Sequence, residues 1–135
     1  MDSMTDFRPV TDTFSVSPQI TPADVAAAAA QGFTLIINNR PDGEAPGQPT
    51  GAEIEAAARA AGLDYLSAPV VGRPGPAQVE AVREAVAGAG GKVLAYCRSG
   101  TRSICTWAMG QAGAVERDQL LRLGAAAGYD LSPVV

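Results

Sequence analysis

The stretch KVLAYCRSGTRS, residues 92–103, decides the fold because it joins the signatures of a buried strand, a tight loop and a helix start. Residues 92–96 form a short apolar run, which is typical of a core strand. Gly100 allows a backbone conformation that other residues resist, and a helix is predicted over residues 103–111. A strand that leads through a short loop into a helix is the building unit of parallel α/β sheets.

The rest of the chain repeats this alternation. Residues 33–38 (FTLIIN) are a second continuous apolar run, and further strands are predicted at residues 13–17 and 65–70. Further helices are predicted from a Thr21 cap to a stop at Gly32, and over residues 51–61, 76–87 and 116–127. We therefore predict one three-layer α/β domain over residues 13–135, with a mostly parallel central sheet of four to five strands flanked by helices, after a lead-in at residues 1–12.

Composition narrows the function classes. The net charge of −4 argues against nucleic acid and anionic membrane as partners, because both attract basic proteins. No apolar run is long enough to span a bilayer and the start lacks a signal pattern, so we expect a cytoplasmic protein. The chain contains no histidine, which excludes Cys-His and Ser-His-Asp couples and histidine-bound metals. We expect neither a metal nor another cofactor.

Cys97 is the predicted nucleophile. It stands where a core strand enters a short loop, so that successive backbone N–H groups can converge on its sulfur as an anion-binding nest. The following helix adds its positive N-terminal dipole, and Arg98 and Arg102 add charge. Such surroundings lower the pKa of thiols and produce a thiolate without a neighbouring base. The alternative is that Cys97 is merely a small buried residue at a strand end.

Several other residues are candidates for the same site. The loop residues Ser99, Gly100 and Thr101 are expected to bind the anion together with both arginines, and Ser103 is expected to cap the helix or to donate to the Cys97 thiolate.

Loop 39–50 follows a buried strand, where α/β folds bind ligands, so Arg40 and Asp42 are substrate-contact candidates alongside Glu44 and Gln48. The alternative for these loop residues is an exposed segment tethered by ion pairs. Cys105 is favoured as a packed helical thiol over a redox partner of Cys97, because it lies eight residues after Cys97 and its place on the helix puts it beyond disulfide reach.

Two resemblances follow from these motifs. Residues 96–103 (YCRSGTRS) resemble the active-site loop of rhodanese-like sulfurtransferases, whose cysteine carries sulfur as a persulfide. Residues 14–20, 36–44, 48–49 and 61–65 resemble the phosphatase-like domain of beta-lactamase-hydrolase-like proteins, which is also fused to metallo-β-lactamase-like sulfur-oxidising enzymes. This second resemblance covers about residues 7–110 and implies a fold similar to that of dual-specificity phosphatases.

The sequence departs from the phosphatase pattern in two respects. Phosphatases of that fold place five residues between cysteine and arginine, whereas here only residues 98–101 intervene, the spacing of the sulfurtransferases. Their proton-donating aspartate would fall near Gly72, and no carboxylate lies between Tyr65 and Gln78. Asp42 or Glu44, from the loop at residues 39–50, is the alternative proton donor.

We therefore predict a sulfurtransferase that passes sulfane sulfur through a Cys97 persulfide. The expected partners are a small anionic donor, thiosulfate or a persulfide, a thiol acceptor and a metallo-β-lactamase-like sulfur-oxidising enzyme. A cysteine phosphatase and a non-catalytic module that binds anionic or phosphorylated ligands are the alternatives.

Overall fold

A five-stranded sheet forms the centre of the molecule. The computed structural model describes residues 5–135, and its strands are β1 Arg8–Pro9, β2 Phe14–Ser17, β3 Phe33–Asn38, β4 Asp64–Ser67 and β5 Lys92–Tyr96. The strand order is β1-β2-β5-β3-β4, and every pairing is parallel except that of β1 with β2. The predicted α/β class with a mostly parallel sheet is confirmed.

Five helices flank the sheet: α1 Pro22–Ala30, α2 Gly51–Ala60, α3 Pro76–Gly88, α4 Thr101–Gln111 and α5 Arg117–Ala126. The predicted Thr21 cap is present, because its side chain accepts a hydrogen bond from the Asp24 N–H while the Asp24 carboxylate accepts one from the Thr21 N–H. None of the helices among residues 5–135 is long and apolar enough to cross a membrane.

Two predictions about the strands were wrong. The fourth strand along the chain ends at Ser67 instead of residue 70, because the regular register with β3 ends there: Ala68 still donates to the Asn38 carbonyl at the end of β3, but Val70 donates to the Asn39 carbonyl just after it. The lead-in also contains a strand, β1, which adds an antiparallel edge to the sheet. Residues 1–4 of the lead-in lie outside the described residues.

Strand β5 is the middle of the core. Its side chains alternate between the two faces: Val93 and Ala95 belong to the cluster beneath α3, α4 and α5, whereas Leu94 and Tyr96 belong to the cluster beneath α1 and α2. Because β2 and β3 pair with β5 on either side and run parallel to it, the carboxyl end of β5 lies between the carboxyl ends of these two strands. Whatever follows Tyr96 is therefore held by three strands and their loops.

Candidate active site

Cys97 is the first residue after β5. It is fully buried, and its backbone N–H donates to the Ser17 carbonyl at the end of β2, at 3.4 Å. The next loop residue is tied to the same strand end, since the Gln19 N–H donates to the Arg98 carbonyl at 3.3 Å. These two hydrogen bonds fix the backbone of Cys97, the candidate nucleophile. A fixed backbone is needed because a reactive side chain must be held in its productive geometry.

The loop turns its backbone towards the sulfur. The Gly100 N–H donates to Cys97 Sγ at 3.1 Å, and Gly100 itself has a φ of 91°, in the left-handed region that favours glycine. Gly100 is the N-cap of α4, so the first helical residue is Thr101, two residues earlier than predicted. The sulfur consequently faces the positive end of an eleven-residue helix as well as a direct backbone donor.

Arg102 lies in the first turn of α4 and is clamped by a carboxylate. Its two terminal nitrogens donate to the two oxygens of Glu44 at 2.7 Å each, and Nη1 also donates to the Val70 carbonyl at 2.9 Å. This two-pronged pairing raises the pKa of Arg102 and, with help from Arg40, lowers the pKa of Glu44 from 4.5 to about 2. Glu44 is thus a carboxylate at neutral pH, and the Arg102 guanidinium is oriented in advance.

Arg40 supports this clamp from the loop after β3. Its side chain is 5% exposed, its Nε donates to Glu44 Oε1 at 3.0 Å, and its Nη1 donates to Gln19 Oε1 at 3.0 Å. Its backbone N–H donates to Asn38 Oδ1 at 2.8 Å. The structure therefore connects Arg40 to Arg102 through a shared carboxylate.

The remaining loop candidates occupy different positions. Arg98 is exposed, and no residue among 5–135 accepts a hydrogen bond from its guanidinium, so its charge faces solvent beside the loop. Ser99 and Thr101 are also exposed and bond to each other through their hydroxyls at 3.0 Å. The Ser99 hydroxyl further accepts the Thr101 N–H at 3.4 Å, which partly satisfies the start of α4.

Asp42 and Gln48 shape the loop at residues 39–50. Asp42 Oδ1 accepts the N–H of Gly51 at 2.8 Å, at the start of α2, and Asp42 lines a separate cavity of about 250 Å³ whose lining does not include residues 97–102. Gln48 bridges the loop, since it accepts the Glu44 N–H at 2.9 Å and donates to the Pro41 carbonyl at 2.9 Å. These bonds hold Glu44 in place opposite Arg102.

Ser103 makes neither of the two predicted contacts, a helix cap or a hydrogen bond to Cys97. It is fully buried in the first turn of α4, its hydroxyl has no hydrogen-bond partner among the described residues, and Gly100 occupies the cap position. Cys105 is a half-buried free thiol whose pKa is raised by burial, so it is a weaker nucleophile than an exposed thiol at neutral pH.

Three contacts near the site have no signal in the sequence. Gln19 binds Arg40, the Val70 carbonyl binds Arg102, and the Tyr129 hydroxyl donates to the Ser99 carbonyl at 2.8 Å. All three join residues that are distant in the chain, and the Ser99–Tyr129 pair is separated by 30 positions. No motif or periodicity carries such information, because only the packing of elements creates these pairs.

The fold has solved relatives among phosphatases. A candidate phosphatase from Neisseria meningitidis superposes with a TM-score of 0.84 at 34% identity, covering 95% of this chain and 92% of that one. A candidate phosphatase from Shewanella putrefaciens superposes with a TM-score of 0.77 at 18% identity, covering 96% of this chain and 82% of that one. TpbA of Pseudomonas aeruginosa, solved with pTyr, superposes with a TM-score of 0.67 at 18% identity, covering 96% of this chain and 78% of that one. The molecule is therefore a phosphatase-like α/β domain, and phosphatase is the better supported of the predicted activities on these similarities.

The family follows from the sequence itself. A family model described as the phosphatase-like domain of beta-lactamase hydrolase-like protein matches residues 6–114, and the chain belongs to this family. Beta-lactamase hydrolase-like proteins of Agrobacterium fabrum and Xylella fastidiosa are each 38% identical over 125 and 129 residues, 90% and 93% of this chain. The chain spans only 29–30% of the length of these relatives. The family resemblance is confirmed, whereas the resemblance of the loop to rhodanese-like sulfurtransferases stays a prediction.

Proposed function

We propose that this domain is a sulfurtransferase in which the Cys97 thiolate takes up sulfane sulfur from a small anionic donor and passes it to a thiol. The fold it shares with phosphatases does not decide between phosphoryl and sulfur transfer, because one fold hosts many chemistries. The choice between these reactions therefore depends on the residues of the site. The observation that carries the proposal is that none of the nearby carboxyl groups among residues 5–135 is placed and protonated to act as a proton donor.

A phosphatase must protonate the oxygen that leaves, and general acids of this kind contribute roughly 100- to 10,000-fold to such reactions. The carboxylate held against Arg102 is Glu44, whose pKa of about 2 leaves it without a proton at neutral pH. Asp42 is bonded to the start of α2, and residues 68–75, which follow β4, contain no carboxylate. This arrangement suits a substrate whose leaving group needs no proton.

Sulfane sulfur donors have that property. The Cys97 thiolate attacks the outer sulfur of thiosulfate, a new S–S bond forms on Sγ, and sulfite leaves with the electron pair of the bond that breaks. An acceptor thiolate then attacks the outer sulfur of the Cys97 persulfide, which releases a new persulfide and restores the Cys97 thiolate. The charge is conserved in both steps, and no proton donor or metal is needed.

The loop has the features that such intermediates require. The Gly100 N–H lies 3.1 Å from Sγ, the start of α4 faces it, and Arg102 is fixed close by, so negative charge on a persulfide is stabilised. Arg98 is exposed and free of side-chain partners among the described residues, which suits it to attract anionic donors.

A cysteine phosphatase is the second candidate, and the similarity to the Neisseria protein and the family description favour it. In that case Cys97 attacks phosphorus, and the substrates are esters of acidic alcohols or phenols, whose oxygen leaves without a proton donor. A module that binds anions without turnover is the third.

Parallel assays separate the three candidates. The wild type, Cys97→Ser and the control Cys105→Ser are assayed for sulfur transfer from thiosulfate to a small thiol and for phosphate release from an aryl phosphate. We expect sulfur transfer in the wild type and Cys105→Ser only, with little phosphate release. Phosphate release that depends on Cys97, without sulfur transfer, would replace the proposal by the phosphatase. Absence of both activities, with anion binding retained in Cys97→Ser, would replace it by the binding module.

A further inference from the structure

Tyr129 lies in the segment after α5, beyond residues 6–114, which the family model matches, yet it contacts the loop after Cys97. Its hydroxyl donates to the Ser99 carbonyl at 2.8 Å. The contact is close enough that a Cβ atom on Gly100 would lie 2.1 Å from the Tyr129 oxygen. The tyrosine therefore packs directly on the backbone beside Cys97.

The Ser99 carbonyl and the Gly100 N–H belong to one peptide group. This group is trans and planar, so the carbonyl and the N–H point in opposite directions. Tyr129 holds one end of it, and the other end donates to Cys97 Sγ at 3.1 Å. Whatever fixes the direction of this carbonyl also fixes the donor that faces the sulfur.

The peptide needs such a constraint because of Gly100. Glycine adopts positive and negative φ about equally readily, so a loop with glycine at this position can rotate the preceding peptide at little cost. Rotation would turn the N–H away from the sulfur and present the carbonyl oxygen instead, which disfavours a thiolate. Gly100 has a φ of 91° here, and the bond from Tyr129 holds the Ser99 carbonyl in the orientation that accompanies it.

Tyr129 is itself held from two sides. The Arg8 guanidinium lies 5.1 Å from the centre of its ring, and Arg8 is paired with Asp6 at 2.9 Å. The Tyr129 N–H donates to the Gly124 carbonyl at 2.8 Å, at the end of α5. Burial raises the pKa of Tyr129, so that its phenol stays a hydrogen-bond donor throughout the neutral range.

We propose that Tyr129 is a positioning residue for Cys97: by holding the Ser99–Gly100 peptide it keeps the Gly100 N–H on the sulfur and increases the fraction of Cys97 present as thiolate. This inference rests on the proposed function only in taking Cys97 as the nucleophile, and it holds for a sulfur or a phosphorus electrophile. Arg102, Cys105 and Tyr129 interact electrostatically with Cys97, Arg98 follows it directly in the chain, and a neutral substitution at Tyr129 leaves the other three in place.

The test is a titration of the Cys97 thiolate by its ultraviolet absorbance, which needs no substrate. It is carried out below the ionisation of tyrosine at about pH 10, in a Cys105→Ser background with Cys97→Ser as the blank. Tyr129→Phe removes the hydroxyl and keeps the ring. We expect the ratio of thiolate to thiol at a given pH to fall roughly 3- to 10-fold, the effect of one hydrogen bond.

Tyr65→Phe is the matched control. Tyr65 is also a partly buried tyrosine, and its hydroxyl accepts a hydrogen bond from Asn38 at 3.0 Å, away from residues 97–102. We expect its thiolate titration to match that of the wild type. An unchanged titration in Tyr129→Phe would overturn the proposal and reduce Tyr129 to a packing residue.

A second variant covers the case in which Tyr129→Phe fails to fold. Arg8→Met leaves the phenol in place but removes the cation above its ring, so a smaller shift in the same direction is expected, and no shift would count against the proposal. Sulfur loading is measured on the same samples. If the thiolate titration shifts in the Tyr129 or Arg8 variant but the wild type takes up no sulfur, only the proposed function is refuted. If sulfur uptake is normal but the titration does not shift in these variants, only the role of Tyr129 is refuted.

Discussion

Glu44 and Arg102 meet through two parallel hydrogen bonds of 2.7 Å, although they lie 58 residues apart in the chain. Glu44 comes from the loop after β3, and Arg102 from the first turn of α4. The pair therefore ties together the segments that follow the neighbouring strands β3 and β5. It also converts the only carboxylate bonded to Arg102 among residues 5–135 into a fixed structural anion.

The Glu44 pairing predicts how stability depends on pH. Its pKa is lowered in the folded state from 4.5 to about 2, so its stabilising effect is complete above pH 4.5 and is lost as the pH falls towards 2. Glu44→Gln should therefore lose less stability than the wild type between pH 7 and about pH 3. Urea unfolding at both pH values measures the difference.

Glu80→Gln provides the control for that experiment. Glu80 pairs with Arg83 on the exposed surface of α3, where solvent screening weakens ion pairs. We expect its acid sensitivity to stay near that of the wild type. Equal behaviour of Glu44→Gln and Glu80→Gln would show that the Arg102 clamp does not stabilise the fold.

Gly100 is predicted to be irreplaceable for two separable reasons. Gly100→Ala forces an L side chain to a φ of 91° and drives its Cβ against the Tyr129 hydroxyl, whereas Gly113→Ala, at a φ of 89°, meets no atom within 4 Å. We expect Gly113→Ala to cost about 1–2 kcal/mol and Gly100→Ala clearly more. Chemical denaturation measures both.

The Gly100→Ala, Tyr129→Phe double variant tests the second reason. Removing the hydroxyl relieves the closest contact, so the double variant should recover part of the stability that Gly100→Ala loses. Purely additive losses would contradict the close packing of Tyr129 on this loop.

The two arginines of the loop are predicted to act differently. Arg102→Lys keeps the charge but loses the fork that binds Glu44, so we expect kcat for sulfur transfer to fall roughly 10- to 100-fold. Arg98→Ala removes an exposed charge, so we expect a higher KM for thiosulfate and a weaker dependence on salt with kcat nearly unchanged. Steady-state kinetics at two ionic strengths distinguish these effects, and identical behaviour of the two variants would contradict the assignment.

The local features of the fold were predictable from sequence. The apolar runs at residues 33–38 and 92–96 match β3 and β5, and Thr21 caps α1, because burial and capping act over a few neighbouring residues. The end of β4 was misplaced because the register with β3 ends at Ser67, and a register between two strands is not visible in the sequence of one of them. The edge strand β1 escaped for a similar reason, since two residues carry no periodicity.

The site was predictable only in part. The motif identified the loop around Cys97. The position after a buried strand identified Arg40 and Glu44 as candidates, but it did not show that Glu44 pairs with both Arg40 and Arg102. Ser103 was misjudged because the helix begins two residues earlier than its polar pattern suggests. Tyr129 carries no local signal at all, since its position depends on how α5 returns to the sheet edge.

The central claim is that Cys97 accepts a sulfur atom, and intact-mass measurement tests it most directly. We would incubate three reduced proteins with excess thiosulfate and measure their intact masses: the wild type, Cys97→Ser and Cys105→Ser. We expect a gain of one sulfur atom in the wild type and Cys105→Ser, reversed by added thiol, and no gain in Cys97→Ser. No gain in the wild type with thiosulfate or with a glutathione persulfide would contradict it.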